Sequence, residues 1–295
     1  MNLIDFLTGR TNLKVSGFSI VRNGIKYGYP FREAILSILP LCDEFIINVG
    51  KSDDETLDVI RSIGDEKLMI FESDWDMSLN GGQVLSVETN RALDKCTGDW
   101  CFYIQADEVL HEKYFDAVRS SMVKYCNEDK VEGLRFKYEH FYGSYDYIQD
   151  NYRNWYIREV RIIKNSDDIV SWGDAMDFRH IDGSKISMKD IDAKIYHYGW
   201  VRPPDKLLKK RKDFELLYTK GEIADQNMAQ YKNYDDLGNL QRFTETHPEV
   251  MKELIVQSEW DFDAKLEDQH PDWIRAILIF LHPLTKRIRK LFAKS

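Results

Sequence analysis

Four apolar runs within the first 110 residues, each closed by a polar turn and separated by helix-like stretches, constrain this chain more than any other feature. Val15 to Val21 ends at Arg22-Asn23-Gly24, and Pro30 then opens a helix with Phe31, Ala34, Ile35, Ile38 and Leu39 at helical spacing until Pro40 stops it. Glu44 to Val49 runs into the turn Gly50 to Thr56 and a helix through Ile63, and Lys67 to Glu72 runs into an irregular stretch with Trp75 and Gly81-Gly82. A helix from Leu85 to Lys95 precedes the fourth run, Trp100 to Ile104. Strands and helices alternating at this spacing predict an α/β fold: a mostly parallel central sheet, helices on both faces, and ligands at the C-terminal ends of the strands.

The strand ends carry Asn23, then Ser52 and Asp54, then Asp74 and Asp76, then Asp107 and Glu108. One shared polar site explains the set, and so does the ordinary preference of Asp and Ser for turns. The fourth end is the most pointed. Trp100, Phe102 and Ile104 alternate with Cys101 and Tyr103, and the run then stops on two acids. Charged groups at the end of a core strand are paired, hydrogen-bonded or bound to a cation. Either Asp107 and Glu108 cap the helix that begins near His111, or Asp107 holds a hard divalent cation through oxygen.

Beyond Gly133 the chain is aromatic and strand-like to Lys164, which extends the sheet, and from Asp205 it is charged and helical. On this reading a main unit covers 1–204, a helical region packed on it covers 205–268, and a basic amphipathic segment covers 269–295. With 295 residues, 13% aromatic and 31% charged, the chain can bury one large core. Its net charge of −9 argues against a nucleic-acid partner. Cys42, Cys96, Cys101 and Cys126 show no metal spacing and read as reduced structural thiols of a cytoplasmic protein. The first ten residues lack the basic-then-apolar pattern of a secretory signal, and no run approaches the ~18 apolar residues of a membrane span. No GxGxxG or GxxxxGK[ST] follows a strand, which argues against a dinucleotide site or a P-loop.

Taken in order, four elements resemble the glycosyltransferase family 2 enzymes of GT-A fold, of the bacterial surface-glycan type. Ile46 to Thr56 is similar to that family's second-strand turn, and Gly98-Asp99-Trp100 leading into Gln105-Ala106-Asp107-Glu108 is similar to its Asp-x-Asp metal motif. Glu159 to Asn165 followed by Trp172 to Asp177 resembles the strand and acidic loop that supply the base, and Ile195 to Trp200 resembles the late histidine element. The match spans roughly residues 15 to 200. Two positions depart from it: Gln105 stands where the family has its first acid, and Val49 or Gly50 where an acid grips the nucleotide base.

The resemblance implies metal-dependent, inverting transfer of a sugar from a nucleoside-diphosphate sugar to a glycan or lipid-linked acceptor. It implies Asp107 and His197 as ligands of Mn²⁺ or Mg²⁺, Asp177 first and Asp174 second as the base, and Asn23, Ser52, Asp54, Gln83, Asn90 and Gln105 around the nucleotide and diphosphate. The basic run from Arg202 to Lys212 either forms a solvated helix face or places a cation near the phosphates, with Arg202 and Lys206 first in line. His140 to Tyr145 with Trp155-Tyr156 either stack on acceptor sugars or pack over the sheet edge. Trp273 to Lys294 mixes apolar and basic residues as interfacial helices do, which fits peripheral attachment to an anionic inner membrane surface or a docked terminal helix. The alternative from a different class is a non-catalytic sugar- or nucleotide-binding protein that keeps the fold, which Gln105 and the altered second strand end favour.

Overall fold

The computed structural model describes residues 13–149, 155–219, 222–230, 240–260, 262 and 264. Its first half runs β1 (Val15–Val21), α1 (Gly24–Tyr27), α2 (Phe31–Ile38), β2 (Glu44–Gly50), α3 (Thr56–Arg61), β3 (Leu68–Ser73), α4 (Gln83–Leu93) and β4 (Trp100–Tyr103). A short β5 (Glu108–Leu110), α5 (Phe115–Tyr125), β6 (Gly133–Tyr142), β7 (Ser144–Gln149), β8 (Arg158–Lys164), β9 (Ile169–Trp172), β10 (Asp177–His180) and β11 (Met188–Trp200) follow. Then come α6 (Pro204–Tyr218), α7 (Glu222–Gln230), β12 (Leu240–Arg242) and α8 (Lys252–Val256).

The expected α/β architecture is present: one central sheet with helices on both faces. All seven residues of β1 are buried, as a strand covered on both sides must be. On one face Phe31 and Ile35 of α2, Ile60 of α3 and Val118 and Met122 of α5 pack on Phe45, Ile47, Trp100 and Phe102. On the other, Ala92 and Leu93 of α4 pack with Phe18, Ile46 and Tyr103.

Strands β3, β2, β1 and β4 are parallel, as the alternation of elements predicts. Beyond them the sheet is mixed: β8 runs antiparallel to β4, β6 antiparallel to β8, and β7 and β12 continue antiparallel from β6. The middle segment therefore extends the sheet, as expected, but without crossover helices that would impose parallel pairing. The region after Asp205 also holds a strand: β12 has three residues, too few for a readable period, and it forms because the edge of β7 offers it partners.

Strand β11 positions the site. It pairs antiparallel with β5, setting His197 opposite Glu108, and parallel with β6, setting His197 opposite His140. Period-two alternation turns His197 to one face while Tyr196 and Tyr198 go to the other, into a cluster with Val109, Phe141 and Met251. The four cysteines are free, and all but Cys126 are buried. No helix among the described residues is long and apolar enough to cross a membrane. The expected basic segment over 269–295 lies outside the described residues.

Candidate active site

The C-terminal ends of β1 and β4, the loop before β10 and one face of α6 enclose a cleft of about 980 Å³. Asn23, Gln105, Asp107, Asp174 and His197 line it, together with Trp75, Trp155, Trp200, Lys210 and Tyr218. Two non-glycine residues of this lining, Asn23 (φ 54°) and Ala175 (φ 64°), hold left-handed backbone. Such strain persists where the surroundings over-determine it, and it clusters at functional sites.

Asp107 is the electrostatic centre. Lys210 Nζ lies 3.2 Å and Arg202 Nη2 3.9 Å from its Oδ2, while His197 Nε2 faces its Oδ1 at 3.8 Å. Burial alone would raise this carboxyl, but the Lys210 ammonium and the Arg202 guanidinium outweigh it and hold Asp107 well below the usual carboxylate range. Burial and Arg202 in turn pull the Lys210 ammonium down to about 8 against the attraction of Asp107. The main chain adds a clamp, with Tyr198 N donating to the Asp107 carbonyl at 2.8 Å.

The imidazole of His197 has a defined tautomer. His140 Nε2 stands 2.7 Å from the carbonyl oxygen of Tyr156, which can only accept, so His140 donates there. Burial pushes the His140 imidazole down to about 4 and His197 well below its ordinary value, so both rings are neutral. His140 Nδ1 is then an acceptor for His197 Nδ1–H at 3.0 Å. His197 Nε2 is left as a lone pair pointing at Asp107.

Below this pair, Glu108 and Arg161 are fully buried and joined by two bonds of 2.8 Å, with Tyr138 Oη donating to Glu108 Oε1 at 2.8 Å. Arg161 Nη1 also donates to the Met176 carbonyl at 3.2 Å, and Gln105 Nε2 donates to the Ala175 carbonyl at 3.1 Å. The strand end and the acidic loop are therefore tied together by both residues. Glu108 is not a cap but the anchor of that tie, and Gln105, expected around the nucleotide and diphosphate, lines the cleft while fastening the loop.

The two candidate bases are placed differently. Asp174 borders the cleft and accepts from Tyr218 Oη at 3.0 Å on its Oδ2. Asp177 is outside the lining; it lies 3.4 Å from Arg179 Nε and accepts from Phe178 N at 2.9 Å. Of the expected cradle, Asn23 reaches the cleft, but Ser52 and Asp54 are engaged in the strand-end turns. Ser52 Oγ accepts from Asn23 N at 2.9 Å, and Asp54 accepts from Lys26 N at 2.7 Å and Thr56 N at 3.0 Å. Asn90 bonds both ways to the Ser171 backbone, Gln83 is exposed at the start of α4, and Lys206 donates to the Ile25 carbonyl at 3.1 Å. Arg202 is buried, donating to the carbonyls of Tyr27 and Gly199 at 2.7 and 2.6 Å.

Two residues that build the site were not singled out by sequence reasoning: Lys210, which stood only within the basic run, and His140, which is fully buried and outside the cleft lining. Lys210 lies three residues after the fully buried Leu207 and four before Phe214, on the cleft face of α6; that apolar spacing was the signal separating it from its solvated neighbours. His140 was read only as part of an aromatic cluster, because its link to His197 spans 57 residues. Trp75 adds an indole N–H, buried against Gly50, that has no acceptor among the described residues.

No family model matches the chain, and no curated protein does. Among solved structures it is similar to Staphylococcus aureus TarS 1-349 in complex with UDP-GlcNAc, at 16% identity over 74% of this chain and 71% of that one, with a TM-score of 0.41. It is also similar to glucosyl-3-phosphoglycerate synthase from Mycobacterium tuberculosis in complex with Mg²⁺ and uridine-diphosphate, at 18% identity over 48% of each chain, with a TM-score of 0.32.

Proposed function

We propose that the protein transfers a sugar from a nucleoside-diphosphate sugar to a hydroxyl of a glycan or lipid-linked acceptor. One observation carries this reading: a cation-held carboxylate, Asp107, and an oriented imidazole lone pair, His197, share a cleft with a second acid, Asp174.

The residues fit a divalent metal ion. Asp107 and His197 would hold it, an oxygen and a nitrogen donor suited to Mn²⁺ as well as Mg²⁺. The relay from the Tyr156 carbonyl through His140 orients His197 as outer partners orient metal-bound histidines. Gly199 keeps the space beside both donors open, since a Cβ there would collide with His197 Nε2 and stand 2.9 Å from Asp107 Oδ2. Among the described residues no third His, Cys, Asp or Glu joins them, so further positions fall to phosphate oxygens and water. When bound, the ion would supply Lewis-acid neutralisation of the leaving diphosphate.

The chain's own residues do the rest. Tyr218 holds Asp174 Oδ2, so Oδ1 is the oxygen that takes the proton of the acceptor hydroxyl as it attacks. Attack in line with the departing diphosphate inverts the anomeric centre. Trp155 and Trp200, with ring centroids 5.1 Å apart at the rim, offer flat apolar faces to sugar rings. The test is a panel of sugar nucleotides with Mn²⁺. Wild-type protein is expected to hydrolyse or transfer at least one, and Asp107→Asn to lose about 10³-fold of that turnover, the size of effect seen when one electrostatic stabiliser is removed. Binding of nucleotide without turnover of any donor would instead favour the non-catalytic alternative.

A further inference from the structure

Asp107 is held by two cations of unlike freedom. Arg202 is locked: its side chain is 0% exposed, it donates to two carbonyls, and its guanidinium lies 4.9 Å over the Tyr29 ring. Lys210 is less constrained. Its side chain is 16% exposed on the cleft with the Tyr29 and Phe214 rings 4.8 and 5.4 Å from its ammonium, which among the described residues donates, besides Asp107, to one carbonyl only, that of Gly199 at 3.3 Å. A four-carbon stem with a point charge at its end can change partners where a fixed fork cannot.

We propose that Lys210 is a diphosphate-contacting residue of the proposed transfer. Its ammonium neutralises Asp107 Oδ2, and on nucleotide entry it turns to the phosphate oxygens and frees the carboxylate for a metal ion. The inference rests on the functional reading above. One carboxylate facing an ammonium and a guanidinium leaves a net charge of about +1, so a divalent cation entering alone meets repulsion. Entering with a diphosphate, it meets compensating negative charge, and Lys210 gains a new partner. Metal and nucleotide therefore bind cooperatively, and by linkage each strengthens the other equally.

The experiment is Mn²⁺ titration of the full chain, followed by electron paramagnetic resonance, alone and with each of UDP, GDP, ADP and CDP. Wild type is expected to bind Mn²⁺ at least tenfold more tightly with one of these nucleotides. Lys210→Met and Lys210→Gln are expected to bind Mn²⁺ alone at least tenfold more tightly than wild type and to gain less than threefold from that nucleotide. Lys210→Arg, which keeps the charge, is expected to behave as wild type does alone, and thermal melting checks that each variant folds. Variants with wild-type affinity and wild-type gain would overturn the role of Lys210 while leaving the Asp107–His197 site standing. Failure of wild type to bind Mn²⁺ under any condition would overturn the metal reading and this inference together.

Discussion

At the scale of single residues, the site depends on which groups carry protons and where. Asp174 and Asp177 lie three positions apart, yet only Asp174 borders the cleft. Asp174→Asn is expected to lower kcat by about 10²–10⁴-fold with little change in KM for the donor, and Asp177→Asn by less than about threefold; steady-state kinetics on the two variants separates them. His140 makes a prediction about pH. Its folded-state value is about 4 against about 6.5 when unfolded, so below pH 6.5 the unfolded chain binds a proton that the folded chain refuses. Its contribution, on the order of 3 kcal/mol, is complete above pH 6.5 and is lost as pH falls towards 4. Glu159, whose carboxyl burial pushes up to about 7, works in the opposite sense over an overlapping window. Urea midpoints at pH 7 and pH 5 are expected to differ less in His140→Gln than in wild type. Both acids of the loop were legible in the sequence, but not which one borders the cleft, because that depends on how Arg161 and Gln105 pin the carbonyls of Met176 and Ala175.

At the scale of elements, the Glu108–Arg161 pair joins β5 to β8 and carries the acidic loop with it. Breaking a buried pair strands a charge, so Glu108→Gln or Arg161→Met alone is expected to cost about 3–5 kcal/mol. The double variant is expected to cost less than their sum, because the two side chains share one interaction. Equilibrium unfolding of the four proteins measures this, and strict additivity would argue against the pair as a unit. The first-half elements were readable because apolar runs and helical spacing are local signals. Strand β1 and helix α2 match the predicted segments closely, with Pro30 and Pro40 as their punctuation. The mixed pairing of β6, β7 and β8 was not readable, since strand direction is set by connections and by partners distant in sequence.

At the scale of the whole molecule, one prediction rests on sequence alone. The full chain is expected to sediment with anionic vesicles and a chain ending at 269 to remain in solution, since the basic and apolar residues between Trp273 and Lys294 supply both attractions an interfacial segment needs. Equal sedimentation of the two would remove the membrane-surface reading. The sequence by itself determined the α/β class, the parallel half of the sheet and the delivery of Asp107 to a strand end, because burial period and turn chemistry act over a few residues. His197 was singled out by the resemblance alone, since a lone histidine in an aromatic strand ordinarily reads as a satisfied core residue. Only the tertiary structure decided that His140 sets the His197 tautomer, that Lys210 holds Asp107, and that Gln105 fastens a loop. Those relations depend on the register of β6 against β11 and on how α6 docks, and such non-local contacts follow from the packing of the whole chain rather than from any one segment of it.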